Sequence, residues 1–191
     1  MFDFLDDKEE YEYMDIKLYT GESIYIDSNI FMSDESLFFF DSLTKKNKII
    51  MPSTQYRELY KLKESDDEEK AYKARKAFKI IEKLLDKDII TIKENGSNNT
   101  NYADPVFIKL ITENAKEKIK VVFVTDDIDL RIKLKSELKK YKLEDNVIRI
   151  FTSKDILKKK GEKTKYTSTL KKTGKVAGII VAGLVAVKLG L

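Results

Sequence analysis

Two short apolar runs that each end in acid constrain this chain more than anything else in it. Glu22–Ile26 is a β-branched run that stops at Asp27, and Lys120–Val124 is a second that stops at Thr125-Asp126-Asp127, with Asp129 just beyond. Runs this short and this continuously apolar read as strands buried on both faces. Lys48–Met51, halted by Pro52, Ile89–Ile92 and Val147–Phe151 are three more candidates. Helical spacing fills the gaps. Asn29–Leu43 reads as one helix or two short ones. Tyr56, Leu59, Tyr60 and Leu62 follow a start at Ser53 or Thr54, and Ser65–Leu85 carries four acids in its first turns. Asp104-Pro105 suits an N-cap followed by a first helical residue, and Leu130–Lys142 is the last helix. Asn95–Asn101 is a polar loop.

Strands that alternate with helices at this spacing require crossover connections. The expected fold class is therefore α/β: a three-layer sandwich with a mostly parallel sheet and helices on both faces. The expected organisation is an acidic N-terminal extension over 1–20, a globular domain over 21–153, and a basic linker with a hydrophobic C-terminal helix over 154–191.

Two absences narrow the chemistry. The chain has no histidine and no cysteine. Imidazole-dependent triads, thiol nucleophiles, disulfides and thiolate or His-based zinc sites are thereby excluded. Carboxylates, Lys, Tyr, Ser and Thr remain, and carboxylates without His or Cys suit hard cations such as Mg²⁺ or Mn²⁺. The lead-in from Met1 to Asp15 is acidic rather than basic-then-apolar, so a cytoplasmic location is expected. Arg131–Lys175 is rich in lysine, which suits a polyanionic partner as well as a solvated helix face.

In open parallel sheets, ligands bind outside the carboxyl ends of the strands. Asp27 and Asp127 sit at two such ends, Asp104 opens a helix, and Glu58 lies a turn or so into the helix after Pro52. Crowded carboxylates repel one another, and a divalent cation removes that penalty. A carboxylate-bound cation polarises a phosphoryl oxygen and generates hydroxide from bound water.

Four blocks in this order resemble the PIN-domain nucleases: Ile26-Asp27-Ser28-Asn29, Pro52-Ser53-Thr54-Gln55-Tyr56-Arg57-Glu58-Leu59, Ala103-Asp104, and Val124-Thr125-Asp126-Asp127-Ile128-Asp129-Leu130-Arg131. Together they span roughly Ser23 to Phe151. The resemblance implies a metal-dependent endoribonuclease, a toxin or RNA-processing enzyme, cutting single-stranded or structured RNA with Mg²⁺ or Mn²⁺. It implies that Asp27, Glu58, Asp104 and Asp127 bind metal and that Asp129 supports a second ion or orients water. Thr125 and Asn29 would hold the turns, and Ser28 would lie near substrate. The sequence departs from the family pattern at Asp126, an acid where the family is often neutral, so either Asp126 or Asp127 can face the crevice.

Other readings fit less well. A Toprim-like phosphotransferase needs Glu where this chain has Asp27. A haloacid-dehalogenase-type phosphatase needs Asp where Asn29 stands, and a receiver-like domain needs a lysine that Ile148-Arg149-Ile150 does not supply. The remaining alternatives are a PIN-like module that binds nucleic acid or protein without catalysis, and a nuclease acting on DNA. The apolar run Val176–Val187 is shorter than a spanning helix needs. It is expected to be a buried or homo-oligomerising helix, or a membrane- or protein-docking tail joined by the basic linker.

Overall fold

The computed structural model describes residues 11–13, 21–34, 36–94, 102–143 and 147–159. The loop expected over Asn95–Asn101, most of the acidic extension, most of the basic linker and the whole hydrophobic tail lie outside them. Among the described residues, no helix is long and apolar enough to cross a membrane. The architecture below belongs to the compact unit Tyr13–Lys158.

In chain order the elements are β1 (Tyr11–Tyr13), β2 (Ser23–Ile26), α1 (Ser28–Phe31), α2 (Leu37–Ser42), β3 (Lys48–Pro52), α3 (Ser53–Lys63) and α4 (Glu68–Asp86). They continue with β4 (Ile90–Lys93), α5 (Ala103–Lys116), β5 (Val121–Val124), α6 (Ile128–Lys140), β6 (Ile148–Phe151), α7 (Ser153–Ile156) and β7 (Leu157–Lys159). Strands β2 to β6 form one parallel sheet in the order β4-β3-β2-β5-β6, and β1 and β7 take no part in it. The chain steps outward from β2 to β3 to β4, then returns to the other side of β2 for β5 and β6. That reversal puts β2 and β5 side by side.

Each sheet face carries its own core, as a three-layer sandwich requires. Ile24, Ile26, Val122 and Val124 point to one side, with Phe31, Phe40, Leu59, Ile81 and Leu84 from α1 to α4. Tyr25, Val121 and Phe123 point to the other, with Phe107 and Ile111 of α5 and Leu130 and Leu134 of α6. Strand β5 is buried on both faces, which is why its sequence shows no polar alternation.

Two helix starts differ from the sequence expectation. Helix α4 begins at Glu68 rather than Ser65, because Asp67 accepts from the Lys70 N–H and caps it. Helix α5 begins at Ala103 with Tyr102 at the N-cap, so Asp104 is not the cap but lies inside the first turn. The cap's usual hydrogen bond comes from elsewhere, as described below.

One buried ion pair closes the amino end of the sheet. The Arg149 guanidinium on β6 reaches both carboxylate oxygens of Glu22, at 2.6 and 2.8 Å. Glu22 is almost fully buried and Arg149 is 29% exposed. Losing the guanidinium takes two charge-assisted bonds from a buried carboxylate, so Arg149→Ala should destabilise the domain by roughly 2 kcal/mol, less than for a fully buried pair because Arg149 keeps some solvent. Urea unfolding checks it, and an unchanged midpoint would contradict it.

Candidate metal and nucleic-acid site

The site is built where the strand order reverses. Ile26 of β2 lies in register with Val124 of β5, so the residues that follow, Asp27 and Thr125, emerge level with each other. The Asp27 N–H donates to the Val124 carbonyl at 2.9 Å, and the Thr125 N–H donates to Phe151 at 3.0 Å. These bonds extend the ladder one residue past the strand ends and fix both backbones.

Asp27 caps the short helix α1 itself. Its Oδ1 accepts from the Ser28 N–H at 2.6 Å, and its Oδ2 accepts from Thr125 Oγ1 at 2.7 Å. Thr125 Oγ1 also accepts from the Asp127 N–H at 3.0 Å. The single hydroxyl therefore couples the two acid-bearing turns. Asp27 holds the turn after β2 through these bonds, and the Asn29 Oδ1 is buried there with no hydrogen-bond partner among the described residues. Thr125→Val should weaken divalent-cation binding at the two acids about 10–100-fold, the usual cost of losing a residue that orients a ligand, as read by calorimetric titration with Mn²⁺ while far-ultraviolet circular dichroism stays unchanged.

The choice between Asp126 and Asp127 is made by their partners. Asp126 turns away and accepts from the Ser153 N–H at the start of α7, at 2.8 Å. Asp127 is the N-cap of α6, accepting from the Leu130 N–H at 2.9 Å. Its charge acts on both Asp27 and Asp104. Asp129 lies in the first turn of α6 and is exposed.

Glu58 supplies the missing cap of α5. Its Oε1 accepts from the Ala103 N–H at 2.9 Å, so a carboxylate on α3 meets the positive end of another helix. This contact carries Asp104 to the cluster. Asp104 also lies 3.9 Å from the Lys133 ammonium of α6. Behind the acids, the buried Gln55 amide donates to the Ile26 carbonyl at 2.7 Å and ties α3 to the end of β2. Sequence reading gave Gln55 and Lys133 no role. Gln55 stands four residues before the buried Leu59, on the same helix face, which is the one trace that could have marked it.

The electrostatics are those of crowded acids. The Asp27 carboxyl is pushed above its ordinary range by burial, and Asp104 and Asp127 push the same way against the bonds from Thr125 and Ser28. Burial likewise raises Glu58, with Asp104 and Asp27 adding to the effect. Asp104 is raised by burial and by Asp127. Asp27, Glu58 and Asp104 thus each feel the charge of a neighbouring acid.

Among the described residues, no three acids stand close enough to grip one ion with their side chains as they lie. The donor set nevertheless fits a hard cation. Each bonded carboxylate oxygen keeps a second lone pair. Ser28 Oγ and Asn29 Oδ1 are buried beside Asp27 with no hydrogen-bond partner among the described residues. Oxygen atoms of this kind are what Mg²⁺ and Mn²⁺ take.

The sequence pattern that defines the PIN domain matches residues 24–138, from β2 through α6. The chain belongs to the PIN-domain family. No curated protein matches the chain significantly. The PIN match covers more than half of the 191 residues and contains all of Asp27, Glu58, Asp104, Asp127 and Asp129. The five-stranded parallel sheet with helices on both faces is a PIN-like sandwich. PIN domains are generally nucleases, and they typically work with divalent metals.

Proposed function

We propose that this PIN domain is a Mg²⁺- or Mn²⁺-dependent endoribonuclease, acting on single-stranded or structured RNA in the cytoplasm. The observation that carries the reading is the meeting of the acid-bearing turns at the β2/β5 reversal, Asp27 and Asp127 tied through the Thr125 hydroxyl and Glu58 bonded to the helix start that bears Asp104, a crowding that a divalent cation would relieve. Asp27 and Asp127 would hold the metal from the two strand ends, Glu58 and Asp104 from α3 and α5. Asp129, from the first turn of α6, would orient water or support a second ion. When bound, the metal supplies Lewis-acid activation of water and neutralises charge developing on the phosphate.

The residues around it have their own work. Thr125 keeps the Asp27 and Asp127 turns in a fixed relation, and Gln55 anchors the backbone just before Asp27. Lys133 sits beside Asp104, where it would steady a phosphate oxygen of the substrate. The unpartnered Ser28 hydroxyl is a hydrogen-bond donor for the same backbone.

The test is incubation of the full chain with labelled single-stranded RNA and DNA pools of matched sequence, with EDTA, Mg²⁺ or Mn²⁺. Internal cutting of RNA only with metal supports the reading. Cutting of DNA alone transfers it to that substrate. Binding without any cutting leaves a PIN-fold binding module.

A further inference from the structure

Helices α5 and α6 leave a groove of about 380 Å³ between them, and it opens at Asp104. Lys133 stands at that mouth, 3.9 Å from Asp104. Lys109 and Lys116 follow along α5, and the far end is closed by Tyr141. From Asp104 to Lys116 the helix rises ~18 Å. Thr112 also lines the groove but is only 4% exposed, with its Oγ1 closed to solvent, so the lysines and Tyr141 are the groups a ligand meets.

The rest of the lining fits a nucleic-acid strand. The acids Glu113 and Glu137 are engaged with Lys109 and Lys140. The Lys116 ammonium lies 3.5 Å from the centre of the Tyr141 ring, and Tyr141 is still 47% exposed. Lysines for phosphates and an aromatic ring for a base are the elements of single-strand binding.

We propose that the α5/α6 groove is the track that carries single-stranded RNA away from the carboxylate cluster, with Lys109 and Lys116 on phosphates and Tyr141 beside an unpaired base. The proposal rests on the nuclease reading for the placement of the cut, but the groove's binding is measured without it. A strand held at Asp104 for cutting must leave the site by some route, and this groove begins on that residue.

The experiment measures binding of a fluorescein-labelled single-stranded RNA 20-mer of mixed sequence to the full chain in EDTA, across a salt series. Wild type is compared with Lys109→Ala/Lys116→Ala and with a control that removes two lysines of α4, Lys79→Ala/Lys87→Ala. Thermal melting checks folding of all three. The groove variant is expected to bind about tenfold more weakly at low salt and to lose about 1.4 from the slope of log K against log salt, two phosphates at ~0.7 each. The α4 control is expected to keep the wild-type slope. Equal losses in both pairs, no loss in the groove pair, no RNA binding by wild type, or equally tight and equally Lys109/Lys116-dependent binding of duplex RNA would each overturn the track. A protein that cuts RNA but shows no groove dependence keeps the nuclease reading and loses the track. One that shows groove dependence without cutting does the reverse.

Discussion

Replacing Asp27 with Asn is expected to reduce metal-dependent cleavage on the order of 10³-fold, or ~4 kcal/mol of transition-state stabilisation. The side chain sits between two donors, the Ser28 N–H and the Thr125 hydroxyl. Asn has the same shape but one acceptor oxygen, and its amide would face one of those donors instead of an ion. Asp127→Asn should act alike, since Asp127 approaches from the neighbouring strand end. Asp126→Asn should retain most activity, because Asp126 is turned to the Ser153 N–H and away from the cluster. Initial rates on labelled RNA with Mn²⁺, with circular dichroism to verify folding, test the set. An Asp126 variant as inactive as the Asp27 variant would refute the assignment of the inward-facing acid.

The second large effect is on stability, and its sign is set by pH. Asp27, Glu58 and Asp104 all have carboxyl groups raised above their ordinary values of 3.8 and 4.5 by burial and by one another. A folded-state value above the unfolded one means that the protonated form is favoured by folding. The site's contribution to stability is then fully present below about pH 3.8, and it is lost as pH rises through the raised values. At neutral pH the metal-free protein therefore carries the cost of the unneutralised cluster. A cation removes it: at a concentration of 100 times its dissociation constant, ligand binding adds ~2.7 kcal/mol. For a chain of this size that corresponds to a rise in Tm of about 5–10 °C. The rise should be large at pH 7 with Mn²⁺ and nearly absent at pH 4, where protons occupy the same oxygens. Scanning fluorimetry with Mn²⁺ against EDTA at the two pH values measures it. Equal shifts at both values would place the ion somewhere other than these acids.

Much of the fold was legible in the sequence because its signals are local. The all-apolar run Val121–Val124 marks a strand buried on both faces, and the alternation of strands and helices forces a parallel sheet. Acids directly after β2 and β5 were readable as a pair for the same reason, and the lack of His and Cys restricted any metal site to oxygen donors. Helix ends were less legible. Asp104-Pro105 has the composition of a cap and first residue, yet α5 starts two residues earlier, at Ala103, where Glu58 from a different helix binds the Ala103 N–H. A cap supplied from 45 positions away leaves no mark in the local sequence.

By itself, then, the sequence determined the family and the order of the five sheet strands and the helices between them, though it left β1, α7 and β7 unmarked. The tertiary structure decided which acids stand together. Strand order is non-local, and only the return of β5 to the side of β2 sets Asp27 level with Thr125 and Asp127. The direction of a side chain just past a strand end is likewise fixed by the partner it finds. Asp126 found the Ser153 N–H on α7, and Asp127 found the N-terminus of α6. Two adjacent aspartates with the same local propensities were therefore separated only by packing, one toward the crevice and one away from it.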